Sequence, residues 1–360
     1  MAMNAQEIAT MRLQNQQLID TKFKTPKELV SWLGAVQSQD YSMAKWAIGI
    51  RQPGTTNESI EQALDRGDII RTHVLRPTWH FVSTDDIRWM LELTAPTIKV
   101  AASFMNRQLE LDEPILKKSN KIIEKSLQGK QLTRSELMAI LEKKGIFTNN
   151  LRAAHFMLRA ELDGIVCNGP MRGKQFTYAL LDEKVPLTNN LKKEEALATL
   201  AKRYFTSHGP ATLADFAWWS GLSMTNARSG LEMVKPGLTQ DKCGEKIYWF
   251  HSAQSMVMGQ PQIIHFLPSY DEFIISYKDR TASLEPAYLK NSISGNGIFK
   301  PVILVNGKVE GIWKRSIKKD KLVIETVFFK TGKALRQKAM KQAAHLFENF
   351  LSLKSEIVYG

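Results

Sequence analysis

The feature that most limits how this chain can fold is a supersecondary pattern that recurs three times with different residues. In its clearest copy, "KEEALATLAKRYFTSHGP", "TLADFAWWSG" and "SMTNARSGLEMV" have the spacing of three successive helices. A turn at Gly221 joins the last two, and "LTQDKC" and "KIYWF" then follow as strand-like segments. Two helices across a tight glycine turn make a helix-turn-helix unit, and the added strands make it a winged helix.

The other copies follow the same order. In the first, Thr25 is an N-cap and Pro26 occupies the first helical position of "TPKELVSWLGAVQ", a helix through Gln37 with Leu29, Val30, Leu33 and Val36 on one face. Helices at "SMAKWAIGI" and "NESIEQALDRGD" come next, the latter with Ile60 and Leu64 four apart and a stop near Gly67. "IIRTHVLRP" and "TWHFV" then pair as a hairpin. The second copy opens at "LTRSELMAILEKKG", where Thr133 and Glu136 have capping-box spacing. It continues with a helix over "NNLRAAHFMLRAELDG", whose apolar register is Leu151, Ala154, Leu158 and Leu162, and a hairpin at "IVCNGP" and "QFTYALL".

Beyond residue 260 the pattern changes. An Asn306-Gly307 turn between alternating runs predicts a β-hairpin, a third strand follows, and "TGKALRQKAMKQAAHLFENFLSL" is a basic amphipathic helix. The expected fold is therefore α+β and mainly α. N-terminal helices and a first winged helix span 1–130, further winged helices span 131–190 and 191–260, and a basic α+β cap spans 261–360.

Composition narrows the function classes. Lys and Arg total 49 against 36 Asp and Glu, a net charge of +13 that suits a polyanionic partner, nucleic acid first, with a solvated, solubilising surface as the competing reading. From Ser276 to the C-terminus there are 16 Lys and Arg against 7 Asp and Glu, so this quarter of the chain supplies nine of the thirteen excess charges. No apolar run approaches the ~18 residues that span a bilayer. The N-terminal stretch lacks a basic start followed by an apolar block, so it is expected to be a helix rather than a signal peptide, in a protein of the cytoplasm. Cys167 and Cys243 lie far apart with no second ligand at metal spacing, so neither a disulfide framework nor a metal is expected. GxxxxGK[ST], HExxH, GxSxG and a strand-to-helix GxGxxG are all absent. No cofactor is expected.

"LGAVQSQDYSMAKWAIGIR", "IIRTHVLRPTWHFV", "LPSYDEFIISYKDR" and "GNGIFKPVILVNGKVEGIWKR" resemble, in order, the landmark segments of the winged-helix superfamily that contains the AlkZ-type DNA glycosylases. The resemblance implies tandem winged helices around a DNA-binding channel and excision of alkylated purines, interstrand crosslinks among them. It also implies a catalytic signature of Gln, a hydrophobic residue and Gln, matched here by Gln37, Ser38 and Gln39. Ser38 departs from the hydrophobic middle position, and its hydroxyl needs a partner if it is to orient its neighbours.

The chemistry suits glutamine. An N7- or N3-alkylated purine already carries positive charge, so it leaves without a general acid, and two amide carbonyls suffice to orient a water. Asp40 either adds negative potential or caps the following helix. Arg71, Arg76 and His80 on the first hairpin are placed to reach phosphates or the lesion strand, with Trp79 beside them expected in the core. Trp313, Lys314 and Arg315 suit stacking or phosphate contact. Asp271 and Arg280 are expected to form a structural ion pair that holds the cap. The reading is of a monomeric glycosylase acting on duplex DNA that carries alkylated purines. The alternative is a non-catalytic winged-helix DNA-binding protein or transcriptional regulator, which would usually dimerise.

Overall fold

The computed structural model describes residues 3–187, 191–251, 263–330 and 337–359. Helix α1 (Ala5–Asn15), capped by Asn4, precedes the first repeat. That repeat runs α2 (Pro26–Leu33), β1 (Val36–Gln37), α3 (Tyr41–Gly49), α4 (Asn57–Arg66), β2 (Ile69–His73) and β3 (Trp79–Ser83). Its three strands lie in the order β1-β3-β2. After the long α5 (Ile87–Gln108), the second repeat runs α6 (Glu113–Leu127), β4 (Leu132–Thr133), α7 (Arg134–Lys143), α8 (Arg152–Leu162), β5 (Val166–Asn168) and β6 (Thr177–Leu180). Its sheet has the equivalent order, β4-β6-β5.

A short α9 (Leu181–Lys184) leads towards the third repeat, made of α10 (Lys193–Ser207), α11 (Leu213–Ser220), α12 (Met224–Val234), β7 (Thr239–Cys243) and β8 (Lys246–Phe250). Here Ala211 bridges Trp249 and takes the place of the first strand. The order helix, strand or bridge, two helices and hairpin thus recurs along the chain.

The cap contains β9 (Ile264–Leu267), α13 (Glu272–Ile275), α14 (Leu289–Ser292), β10 (Val302–Val305), β11 (Lys308–Lys318), β12 (Lys321–Phe328), α15 (Gln337–Leu351) and β13 (Lys354–Tyr359). Its sheet order is β13-β12-β11-β10-β9, with β13 parallel to β12. Asn306 and Gly307 both have positive φ, 48° and 82°, which is the mirror-image turn that matches strand twist. The sequence starts the final helix at residue 331; residues 331–336 lie outside the described ones, and α15 is seen from Gln337. Among the described residues no helix is long and apolar enough to cross a membrane.

Successive residues of a strand point to opposite faces, and the first sheet uses both. Val36, Ile69 and Phe81 join a cluster with Phe266, Trp313 and Phe347 of the cap. Ile70, Val74 and Val82 join Leu200, Tyr204, Phe216 and Trp219 of the third repeat. The second repeat keeps its own cluster, which includes Leu116 and Ile123 of α6. A boundary at residue 130 therefore cuts that cluster, because α6 is the second repeat's first helix.

Two sequence-level expectations change for local reasons. Helix α2 stops at Leu33, because Gly34 takes φ +80° and turns the chain into β1, so Gln37 lies on a strand and not at a helix end. In α8 Leu162 is buried as expected, but Leu151 and Ala154 are exposed and Phe156, Met157 and Ala160 supply the rest of the buried face. Packing against α6 and the adjoining sheet selects the bulkier register.

Candidate functional site

Gln37 is buried on β1, directly opposite His80 of β3. Its backbone N–H donates to Glu272 Oε1 at 2.7 Å, and its side-chain Oε1 accepts from Arg76 Nη2 at 2.8 Å. Ser38 continues the pairing, its N–H donating to the Trp79 carbonyl at 2.7 Å. Its hydroxyl is buried and has no hydrogen-bond partner among the described residues. Gln39, the next residue, is exposed. Asp40 caps α3 by accepting from the Met43 N–H, and it also accepts from the Ser269 hydroxyl of the cap.

A buried polar network lies behind Gln37. The second oxygen of Glu272 accepts from Trp219 Nε1 at 3.1 Å and from the Ser276 hydroxyl, with His208 Nε2 at 3.8 Å. Burial alone would raise the Glu272 carboxyl; His208, the Arg76 charge and the Ser276 hydroxyl outweigh it and bring the group down to about 2. Burial holds Arg76 below the usual guanidinium range, although one edge of the residue still meets solvent. His80 is fully buried, and burial together with the Arg76 charge lowers it to about 3, so its ring is neutral at physiological pH. It cannot reach a phosphate, contrary to the sequence expectation.

Arg71 is likewise turned inward. Its Nη2 and Nε donate to the Ser38 carbonyl at 3.0 and 3.3 Å. Its guanidinium lies 4.6 Å from the Trp79 ring, 4.7 Å from Phe176 and 5.5 Å from Tyr41. Phe176 comes from the second repeat and makes an edge contact with Tyr41. Trp79, expected in the core, is only half-buried, because it forms one wall of this cage.

The remaining candidates separate. Trp313 is 1% exposed, donates to the Leu267 carbonyl at 2.7 Å and packs on Phe266 and Phe347. It is core and has no free face for a base. Lys314, on the opposite side of the same strand, is exposed. Arg315 donates to the Ser42 hydroxyl and lies over Phe347, which brings β11 to the start of α3. Asp271 does not pair with Arg280. Its two oxygens take Arg51 Nη2 and Nη1 at 2.7 and 2.8 Å, both side chains being fully buried. Arg280 instead donates to the Ile274 carbonyl and lies between Trp218 and Phe299.

Sequence reasoning missed Glu272, Trp219, Tyr41 and Phe176. A four-residue helix such as α13 has no periodicity to show which of two adjacent acids meets the glutamine strand. Among the described residues no group of three or more His, Cys, Asp or Glu is placed to hold a metal ion.

The first repeat, Phe176 of the second repeat and the cap therefore all contribute contacts to residues 37–42, and the third repeat braces them through Glu272. Comparison with known proteins agrees with this whole-chain arrangement. The family model described as DNA glycosylase AlkZ-like matches residues 30–350. A protein of Streptomyces sahachiroi described as an interstrand DNA cross-link repair glycosylase is 25% identical over 360 residues, covering 94% of this chain and 95% of that one. The solved structure of the Streptomyces sahachiroi DNA glycosylase AlkZ has the same fold, with a TM-score of 0.81 at 22% identity over 99% of this chain and 100% of that one. The chain belongs to the AlkZ-like DNA glycosylase family.

Proposed function

We propose that this protein excises cationic N7- or N3-alkylated purines from duplex DNA, with Gln37 and Gln39 positioning the attacking water. One observation carries the reading: Gln37 is held at both its backbone and its side chain, immediately beside the exposed Gln39. In the reaction the water oxygen bonds to the sugar C1′ as the C1′–N9 bond breaks. The bonding pair goes to the base and cancels its positive charge, and the water's proton passes to solvent. The products are a free base and an abasic sugar.

No acid is needed for such a leaving group, and neutral amides pre-positioned at the sugar stabilise developing charge without reorganisation. A second carbonyl lone pair on Gln37 remains for the water, since an amide oxygen accepts two hydrogen bonds. The relative's description as a cross-link repair glycosylase supports a site that accepts bulky adducts, and we extend that substrate class to this chain. Of the basic candidates, the exposed Lys314 is the proposed phosphate contact.

The test is base release from a duplex that carries N7-methylguanine, followed by Gln37→Ala and Gln39→Ala. Release by the native protein is expected, with a fall of roughly tenfold or more in each variant. No release, or release unchanged in both, refutes the assignment.

A further inference from the structure

We infer that Arg76 is a positioning residue that fixes which end of the Gln37 amide faces the water, and that Glu272 holds Arg76 and Gln37 in register. This rests on the proposed role of Gln37. A glutamine side chain offers an acceptor oxygen and a donor nitrogen of nearly equal size, and a half-turn about its last bond exchanges them. Water must be bound by the acceptor if it is to be oriented for attack. Guanidinium has donors only, so the atom it meets at 2.8 Å must be Oε1, and rotation would place two sets of N–H groups against each other.

Glu272 is the complement. It is an acceptor that takes the Gln37 backbone N–H at 2.7 Å while its charge faces Arg76. One carboxylate thus fixes the strand and one guanidinium fixes the amide of the same residue. Trp219 of the third repeat in turn anchors Glu272 at 3.1 Å. Gly221 places the turn after α11 against the end of β2; a Cβ there would lie 2.2 Å from the Leu75 carbonyl oxygen, next to Arg76. Any side chain at that position would displace the Leu75 carbonyl that leads into Arg76.

The experiment compares Arg76→Met, Arg76→Lys, Gln37→Ala and the Arg76→Met/Gln37→Ala double variant. Single-turnover base release is measured with enzyme in excess over N7-methylguanine duplex, and DNA affinity by fluorescence anisotropy. Arg76→Met should lose roughly 10–100-fold in rate, the usual cost of removing an orienting partner, with affinity changed no more than about threefold. Arg76→Lys, which keeps a donor and the charge facing Glu272, should recover part of the rate. It also serves alone if Arg76→Met does not fold. The double variant should be no slower than Gln37→Ala.

An unchanged or faster Arg76→Met overturns the inference, as does a loss that lies wholly in DNA affinity or that multiplies with Gln37→Ala. Those results leave the glycosylase assignment standing if Gln37→Ala is itself impaired. A fully active Gln37→Ala instead removes the role of Gln37 and this inference with it, and the glycosylase assignment falls only if Gln39→Ala is fully active as well.

Discussion

Replacing Asp271 by Ala should be among the most damaging single changes in the molecule. Its carboxylate and the Arg51 guanidinium are both fully buried and joined by two bonds of 2.7 and 2.8 Å. Without Asp271, Arg51 keeps the Gln16 carbonyl, Gln16 Oε1 and the Ala47 carbonyl but has lost its countercharge. Breaking a buried pair from one side costs about 3–5 kcal/mol. The same carboxylate caps α13 through the Phe273 N–H, and losing a cap adds about 1 kcal/mol. With a urea dependence of about 3 kcal/mol/M, a total near 5 kcal/mol lowers the unfolding midpoint by about 1.7 M. Chemical denaturation followed by tryptophan fluorescence measures this directly. Arg51→Met/Asp271→Asn, which removes the charge and keeps a capping side chain, should recover most of the loss. A fall of less than about 0.3 M, or a double variant no more stable than Asp271→Ala, would refute the argument.

The buried network and the cap strand carry further expectations. Because folding lowers His80 to about 3, stability contributed by its neutral form is present above the unfolded value near 6.5 and is lost as pH falls towards 3. Between pH 7 and 5 that amounts to about 2 kcal/mol, seen as a lower denaturation midpoint and reduced in a His80→Leu variant. Base release at saturating enzyme should be level between about pH 6 and 9, since Glu272 near 2 and His80 near 3 keep one charge state throughout; a bell-shaped profile centred near neutrality would show an acid or base at work. Trp313→Ala should cost about 3–5 kcal/mol of stability, whereas Lys314→Ala should leave stability unchanged and reduce the salt dependence of DNA binding by about one unit of slope.

The repeats are legible in the sequence because their ends are written in local chemistry. Capping boxes at Thr25, Thr133 and Thr212 and left-handed glycines at Gly67 and Gly221 mark helix limits without reference to the rest of the chain. Strand β1 is not legible. Two residues cannot show alternation, and Val36 fits the helical stripe of α2 as well as it fits a strand. Strand β13 pairs parallel with a partner across α15, a non-local contact that no short window contains. At the site, the polar run Gln37 to Asp40 stands out where it follows the apolar stripe of α2, and Arg76 stands out between Leu75 and Pro77. Glu272 does not, because its importance comes from meeting Gln37 across 235 positions of sequence. A comparable separation, 220 positions, hides the pairing of Asp271 with Arg51, whereas Arg280 lies close by in the chain and is the nearer choice on sequence alone.

The placement of charge around the glutamines fits the proposed substrate. A cationic base approaching a free arginine would be repelled, and in a site of low dielectric that repulsion reaches several kcal/mol. The two arginines that touch residues 37 and 38 are committed to carbonyl oxygens, Arg71 at Ser38 and Arg76 at Gln37. Arg71 is also walled by three aromatic rings, and Arg76 faces the Glu272 carboxylate. The outward side offers the neutral Gln39 and the Asp40 carboxylate. Positive charge thus braces the strand at residues 37 and 38, while residues 39 and 40 are themselves neutral and negative and the Arg315 guanidinium is held at the Ser42 hydroxyl beside them. An unalkylated purine gains nothing from that face and, lacking its own positive charge, has no acid to help it leave, so the same arrangement disfavours it twice.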